Sequence, residues 1–288
     1  MPDGAAGRGA PATEPVREGV PPGSLRHLAV LFSGAPERPL IEAIYAFEAE
    51  LRRIVAAASH EAAHARLQWW RGELDRLVAG RPTHPLAQAL LPLREQRGTD
   101  AALLHEMLVA ADLDLARITY ATWQELEAYL FRSAGVPQTL IAATLSSRRG
   151  LQPAERDFAR RLGAALRQTE ILVDLDRDLV RGCLYAPVQA LEAAGIDPQA
   201  FARRTAGDQA HAFLAEWSGR VHAGLVALPR LLDDPVQRGE QRHGLVLAAL
   251  HARWLEPRLR SPGAAASRTE LAPVIRLWTA WRTALRYS

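Results

Sequence analysis

PERPLIEAIYAFEAELRRIVAAA, residues 36–58, decides the fold class. Leu40, Ile41, Ile44, Phe47, Leu51, Ile54 and Val55 recur at intervals of three and four, the period of a buried helix face. Pro36 opens the stretch, where a helix tolerates proline. The pattern continues downstream. ARLQWWRGELDRLVAG (65–80) reads as a second helix stopped by Gly80 and Pro82, and His84 and Pro85 start a short third. Segments 101–116 and 122–133 are also amphipathic, the latter ended by Gly135 and Pro137. Pro153 begins a long helix that runs to about Cys183 and is closed by Pro187. After a turn at 195–198, another runs to about Leu225, and segments 235–258 and 269–286 flank a loop at 261–267. No run of alternating β-branched residues and no fixed-period repeat appears. The expectation is an all-α chain, one bundle of about eight to ten helices.

Upstream, MPDGAAGRGAPATEPVREGVPPGS (1–24) is small and breaker-rich and reads as a disordered leader, leaving 25–288 as the folded domain. With 288 residues, 48% hydrophobic and 23% charged, the chain can bury a sizeable core, and the aromatic share of 6% favours helix over strand. No stretch approaches the ~20 apolar residues that span a bilayer. No early apolar run with a basic flank reads as a secretory signal, so a cytoplasmic protein is expected. The single cysteine, Cys183, rules out an internal disulfide and reads as a small packed residue, because no partner histidine is evident.

A net charge of +3 invites a nucleic-acid reading, which the pattern argues against. The chain has no Lys and no Asn, a whole-chain bias pointing to GC-rich codons, and its arginines alternate with acids (RGELDR, LDRDLVR, RLLDDPVQRGEQR) as solvated helix faces do. One motif suggests metal chemistry. His60-Glu61-Ala62-Ala63-His64 fits the H-E-x-x-H pattern, in which two histidines on one helix face bind zinc beside a glutamate base. Its extended form fails, with Leu67 where glycine and Trp70 where histidine is needed. A third ligand would have to be Glu73, Asp75 or His84, so zinc hydrolysis stays a minor alternative to an exposed helical turn.

Four segments in order resemble the squalene/phytoene synthase family of prenyl-diphosphate condensing enzymes: AIYAFEAELRRIV (43–55), RLQWWRGEL (66–74), DLARITYATWQELEAYLFRSAG (114–135) and LGAALRQTEILVDLDRDLVRGCLYAP (162–187). The resemblance covers roughly residues 25–258 and implies the all-α isoprenoid-synthase bundle. It also implies two prenyl diphosphates bound between facing helices, with two aspartate-rich motifs chelating Mg²⁺. Carboxylates one helical turn apart share a face, and Mg²⁺ held by them neutralises the leaving diphosphate.

The motifs of this chain depart from that pattern. Where the first motif of the family has acids, this chain has Arg52, Arg53 and Ala56, with Glu48 one turn before Arg52 and able to pair with it. The second motif keeps Asp174 and Asp178. Glu170 replaces the usual Asn, Arg177 the usual Glu, and Cys183 the Arg of Arg-x-Tyr-x-Pro, while Tyr185 and Pro187 remain. The resemblance makes Tyr45, Phe47, Arg52, Arg53, Glu170, Arg177 and Tyr185 the candidate substrate-pocket residues, with Asp112 and Asp114 as supporting acids. Arg52 and Arg53 are read as counterions reaching across to Asp174 and Asp178, ahead of a direct diphosphate clamp or two surface arginines. Trp69 and Trp70 read as packing, and Arg71 with Glu73 as a structural pair. No cofactor is expected unless Asp174 and Asp178 retain Mg²⁺.

The implied function is a family-like protein that has lost or altered the condensing reaction and binds an isoprenoid, a prenyl diphosphate or a protein partner. Peripheral contact with the inner membrane is compatible with such lipidic ligands. The alternative is an active divergent prenyltransferase, with Mg²⁺ at Asp174 and Asp178.

Overall fold

The computed structural model describes residues 19–95, 100–148, 150–260 and 271–287. Among the described residues there is helix and no strand. The principal helices are α1 (Leu25–Val30), α2 (Arg38–Val55), α3 (His60–Val78), α4 (Leu104–Leu115), α5 (Trp123–Leu130), α6 (Val136–Leu145), α7 (Pro153–Val173), α8 (Leu175–Val180), α9 (Gly207–Ala227), α10 (Arg242–Arg260) and α11 (Pro273–Arg286). Shorter helical turns at Pro85–Ala89, Pro92–Glu95, Val188–Ala193, Pro198–Ala202 and Pro235–Glu240 occupy connections. No described helix is long and apolar enough to cross a membrane. The expected leader lies mostly outside the described residues. Its last six are described: Val20 is buried in the core, and Ser24 caps α1 by accepting from the His27 amide.

Local chemistry sets the ends. The Ser59 hydroxyl caps α3, Thr122 caps α5, and Gln152 with Glu155 forms a capping box ahead of Pro153 in α7. α2 is enclosed on almost every side. Its periodic set is buried except for Val55, and Tyr45, Glu48 and Glu50 are buried with it. α7 is the other axis of the bundle and packs against α5, α6, α9 and α10.

Two expected helix boundaries shift. Gly135 and Pro137 do not end the segment that begins at 122: a wide π turn at Phe131–Gly135 joins α5 to α6. That turn accommodates the missing proline N–H. It lies directly on α7, where a Cβ on Gly163 would come within 2.4 Å of the Ala134 carbonyl oxygen and 2.6 Å of the Gly135 Cα. Glycine at 163 thus lets two backbones touch, placing Tyr129 beside Arg167 one turn further along.

The long helix expected to reach Cys183 stops at Val173, and α8 restarts after Asp174. The break has an electrostatic reason. Continued as one helix, Asp176 and Asp178 would sit near a C-terminal, negative dipole end; after the break they occupy the first turn of α8, where negative charge is favoured. The expected loop at 261–267 lies outside the described residues.

Candidate functional site

α2 and α7 face each other across the centre, and the spacing of their polar residues builds the site. On α2, Tyr45, Glu48 and Arg52 fall at intervals of three and four. Arg167 and Glu170 on α7, with Asp174 at its C-cap, do the same. Arg52 donates to Glu48 at 2.5 Å on its own helix and to Glu170 across the gap at 2.8 Å. Arg26 of α1 donates to Glu48 at 2.6 Å and lies 3.8 Å from Glu170. Arg167 contacts Glu170 at 3.3 Å and donates to the Tyr129 hydroxyl at 2.6 Å and that of Tyr185 at 3.1 Å. Both tyrosine hydroxyls in turn donate to Asp114 of α4, at 3.0 Å and 2.8 Å. Tyr120 packs against both tyrosine rings.

Three guanidiniums therefore meet three carboxylates in one connected network. Burial works against ionisation of Glu170, but Arg52, Arg167 and Arg26 outweigh it and hold its carboxyl well below the usual range. Burial pushes the Tyr129 and Tyr185 hydroxyls well up, so both stay protonated and act as donors to Asp114. The space left beside Arg52, Asp114, Tyr129 and Arg167 is a cavity of about 40 Å³. That volume holds a water or two, whereas small-molecule pockets usually begin near ~300 Å³. A second cavity of about 200 Å³ borders Arg26, Glu170, His251 and Arg276 and opens the network to the outside.

Each candidate from the sequence has a definite place. Glu170, Tyr185 and Arg52 are in the network. Tyr45 lies beneath it: Arg26 stacks 4.6 Å above its ring, while its hydroxyl turns into the core, 2.8 Å from His243 Nε2 and accepting from Gln138 at 3.1 Å. Phe47 belongs to the core, edge-on to Trp70 at 5.1 Å, and does not line the pocket. The expected reach of Arg52 and Arg53 to Asp174 and Asp178 is corrected. Arg52 goes instead to Glu48 and Glu170, which are nearer along α2 and directly opposite on α7; Arg53, one residue round the helix, pairs with Glu50 at the exposed rim. Arg177 neutralises the two aspartates from their own turn, at 2.6 Å from Asp174 and 3.6 Å from Asp178.

The supposed Arg71–Glu73 pair is also corrected. Arg71 bonds Asp112, while the buried Glu73 accepts from Arg76, Thr83 and the His84 amide, staples the loop after α3, and is held at about 2 by those donors against the opposing effect of burial. Trp70 packs in the core as expected; Trp69 is half-exposed. Burial raises the Cys183 thiol, as does nearby Asp178. The residues the sequence did not single out are Arg26, Arg167 and Tyr129. Only Arg167 left a local trace, one turn before Glu170.

The residues do not fit a metal cage. Asp174 and Asp178 lie against Arg177, burial raises the Asp178 carboxyl toward its neutral form, and the facing helix offers a guanidinium where a chelating acid is needed. Among the described residues, no three His, Cys, Asp or Glu side chains are placed to hold a metal ion, and this includes the HEAAH segment. His60 and His64 stack on the exposed start of α3, while Glu73, Asp75 and His84 are engaged elsewhere.

Two buried histidines frame the network and set its pH response. Burial lowers both His243 and His251 to about 4, from 6.5. The unfolded chain therefore takes up these protons first. The stability they confer is complete above 6.5 and is lost as pH falls toward 4, by about 3 kcal/mol each at full extent. The urea midpoint is expected to drop between neutral pH and pH ~5, and His243→Gln should flatten that slope.

The squalene/phytoene synthase profile matches residues 22–279. A bifunctional protein CrtB/UppS of Streptomyces coelicolor is 30% identical over 196 residues, which is 66% of this chain and 34% of that protein. A 15-cis-phytoene synthase of Synechocystis is 31% identical over 135 residues, 44% of this chain and 40% of that protein. The chain thus matches well under half the length of these relatives. Among solved structures, a dehydrosqualene synthase in complex with ligand superposes with a TM-score of 0.73 at 18% identity, over 91% of this chain and 90% of that one. Squalene synthase HpnC from Alicyclobacillus acidocaldarius gives 0.65 at 24%, over 80% and 88%. At those identities the likeness establishes the all-α isoprenoid-synthase fold and nothing finer. With the family profile matched along nearly the whole described chain, the protein belongs to the squalene/phytoene synthase family.

Proposed function

We propose that this chain is a non-condensing member of its family, one that binds an isoprenoid or a protein partner without ionising a prenyl diphosphate. The observation that carries the reading is the closed network of Arg26, Arg52 and Arg167 with Glu48, Glu170 and Asp114. Condensation needs charge to be recruited: a diphosphate with the cations that draw it away from carbon. Here the central positive and negative charges already satisfy one another, and about 40 Å³ remains between them. Retained lipid binding is supported by a separate recess of about 420 Å³ between α5, α7 and α9, walled by Trp123, Ala165, Trp217, Val221 and Leu228. Glu127, Arg161, Gln168 and Arg220 also border it, the rest of its lining is apolar, and its volume suits a prenyl chain.

The purified chain, incubated with farnesyl or geranylgeranyl diphosphate and Mg²⁺, is expected to release no pyrophosphate above the rate of a heat-denatured control. Release at an enzyme-like rate overturns the proposal. The competing reading, a divergent active prenyltransferase, has one observation in its favour: Asp174 and Asp178 still stand one turn apart beside the network. On that reading Asp174→Ala abolishes turnover.

A further inference from the structure

α11 packs the wrong way round for an ordinary surface helix. The face it turns to the body is small: Ala280 and Ala284 are buried, at 1% and 4% exposure. Its large apolar side chains point outward instead. Val274 is 76% exposed, Leu277 56%, Trp278 57% and Trp281 50%. These four recur at intervals of three and four and so form one stripe along the helix. The two indoles adjoin at 5.3 Å between ring centroids. Beside the stripe an apolar groove of about 510 Å³ runs between α11 and the α9–α10 pair, extending the patch to Val226, itself 57% exposed.

Charge indicates what covers this face. From 271 to 288 the sequence has three arginines and no Asp or Glu. Arg276 is tied to the Gly23 carbonyl at 2.9 Å, while Arg282 and Arg286 are exposed along the groove side of the stripe. Tryptophans with basic residues alongside are the composition of a helix lying in the headgroup layer of an anionic bilayer. At 14 residues α11 rises about 21 Å, short of the ~30 Å hydrocarbon core, so it lies in the interface and does not span it.

We infer that α11 docks this protein onto an anionic lipid surface, with Trp278 and Trp281 inserted among the headgroups and Arg282 and Arg286 on the lipid phosphates. The inference rests on this face alone and is independent of whether the central network turns over substrate.

The test is flotation of the full chain with vesicles of phosphatidylcholine alone and of phosphatidylcholine mixed with phosphatidylglycerol. Binding is expected only to the mixed vesicles, to be weakened by salt, and to fall roughly tenfold or more in Arg282→Glu with Arg286→Glu. Trp278→Ser with Trp281→Ser should abolish it. All four side chains are exposed, so melting curves should match wild type. Brominated acyl chains supply a second measurement: they should quench wild-type tryptophan fluorescence, and Trp278→Phe with Trp281→Phe should bind while losing that quenching. The inference is overturned if the chain does not float with mixed vesicles, or if the serine variant floats as well as wild type. It is equally overturned if wild type sediments as a dimer that the serine variant turns into a monomer, since a second copy would then cover the face.

Discussion

Glu170→Ala is expected to destabilise the protein by about 3 kcal/mol, read as a lower urea midpoint at unchanged slope. Glu170 is the hinge of the central network: its side chain is 15% exposed and it faces Arg52, Arg167 and Arg26. Removing it leaves Arg167, whose side chain is 13% exposed, without the carboxylate it contacts directly in a low-dielectric setting, Asp114 being reached only through Tyr129 and Tyr185. The bond to Arg52 contributes less, because that side chain is 46% exposed and water screens it. Glu170→Gln, which keeps an acceptor oxygen, should lose less than the alanine variant. A loss below ~0.5 kcal/mol in Glu170→Ala would mean that the network is not a stabilising element.

The second large effect is a gain. Glu48→Gln combined with Glu170→Gln removes two of the three neutralising charges while keeping side-chain volume. Arg26, Arg52 and Arg167 would then stand together with Asp114 as the one carboxylate of the network left to neutralise them, Arg26 at the edge of the 200 Å³ cavity. Guanidiniums bind phosphate oxygens in paired hydrogen bonds. Inorganic pyrophosphate is therefore expected to raise the melting temperature of the double variant by several degrees, corresponding to about 2.7 kcal/mol at a hundredfold excess over its Kd. Wild type should not respond. Equal shifts in both proteins would show that the carboxylates do not occupy the anion's place.

The parts of the fold visible in sequence are those encoded locally. Leu40, Ile41, Ile44, Phe47, Leu51 and Ile54 announce α2 because burial of a helix face imposes its period. The α5–α6 junction was hidden because Gly135 and Pro137 are stop signals by propensity, and only the close approach of Gly163 on α7 shows that the chain continues through a π turn. The α7–α8 break was hidden because apolar periodicity continues through Asp174 while the dipole argument depends on where helices end.

The site divides in the same way. Glu170, Arg52 and Tyr185 stood out by their departure from, or agreement with, a family pattern. Arg26 joins the network through a partner 22 positions away, and such a distance leaves no spacing to read, whereas Asp114 stood out only as a supporting acid of the family pattern, its bond to Tyr185 spanning 71 positions. The misplacement of Arg53 has a related cause. A period of 3.6 puts adjacent residues on different faces, so Arg52 and Arg53 could not both reach across the gap.

The central claim is that arginine–carboxylate pairing has taken the place of a metal-held diphosphate. It is tested most directly by titrating wild-type protein with farnesyl diphosphate, followed by calorimetry, with and without Mg²⁺. The account predicts the same isotherm in both, whether it reflects apolar binding of the chain or no binding at all. Saturable binding that appears only when Mg²⁺ is present would contradict it.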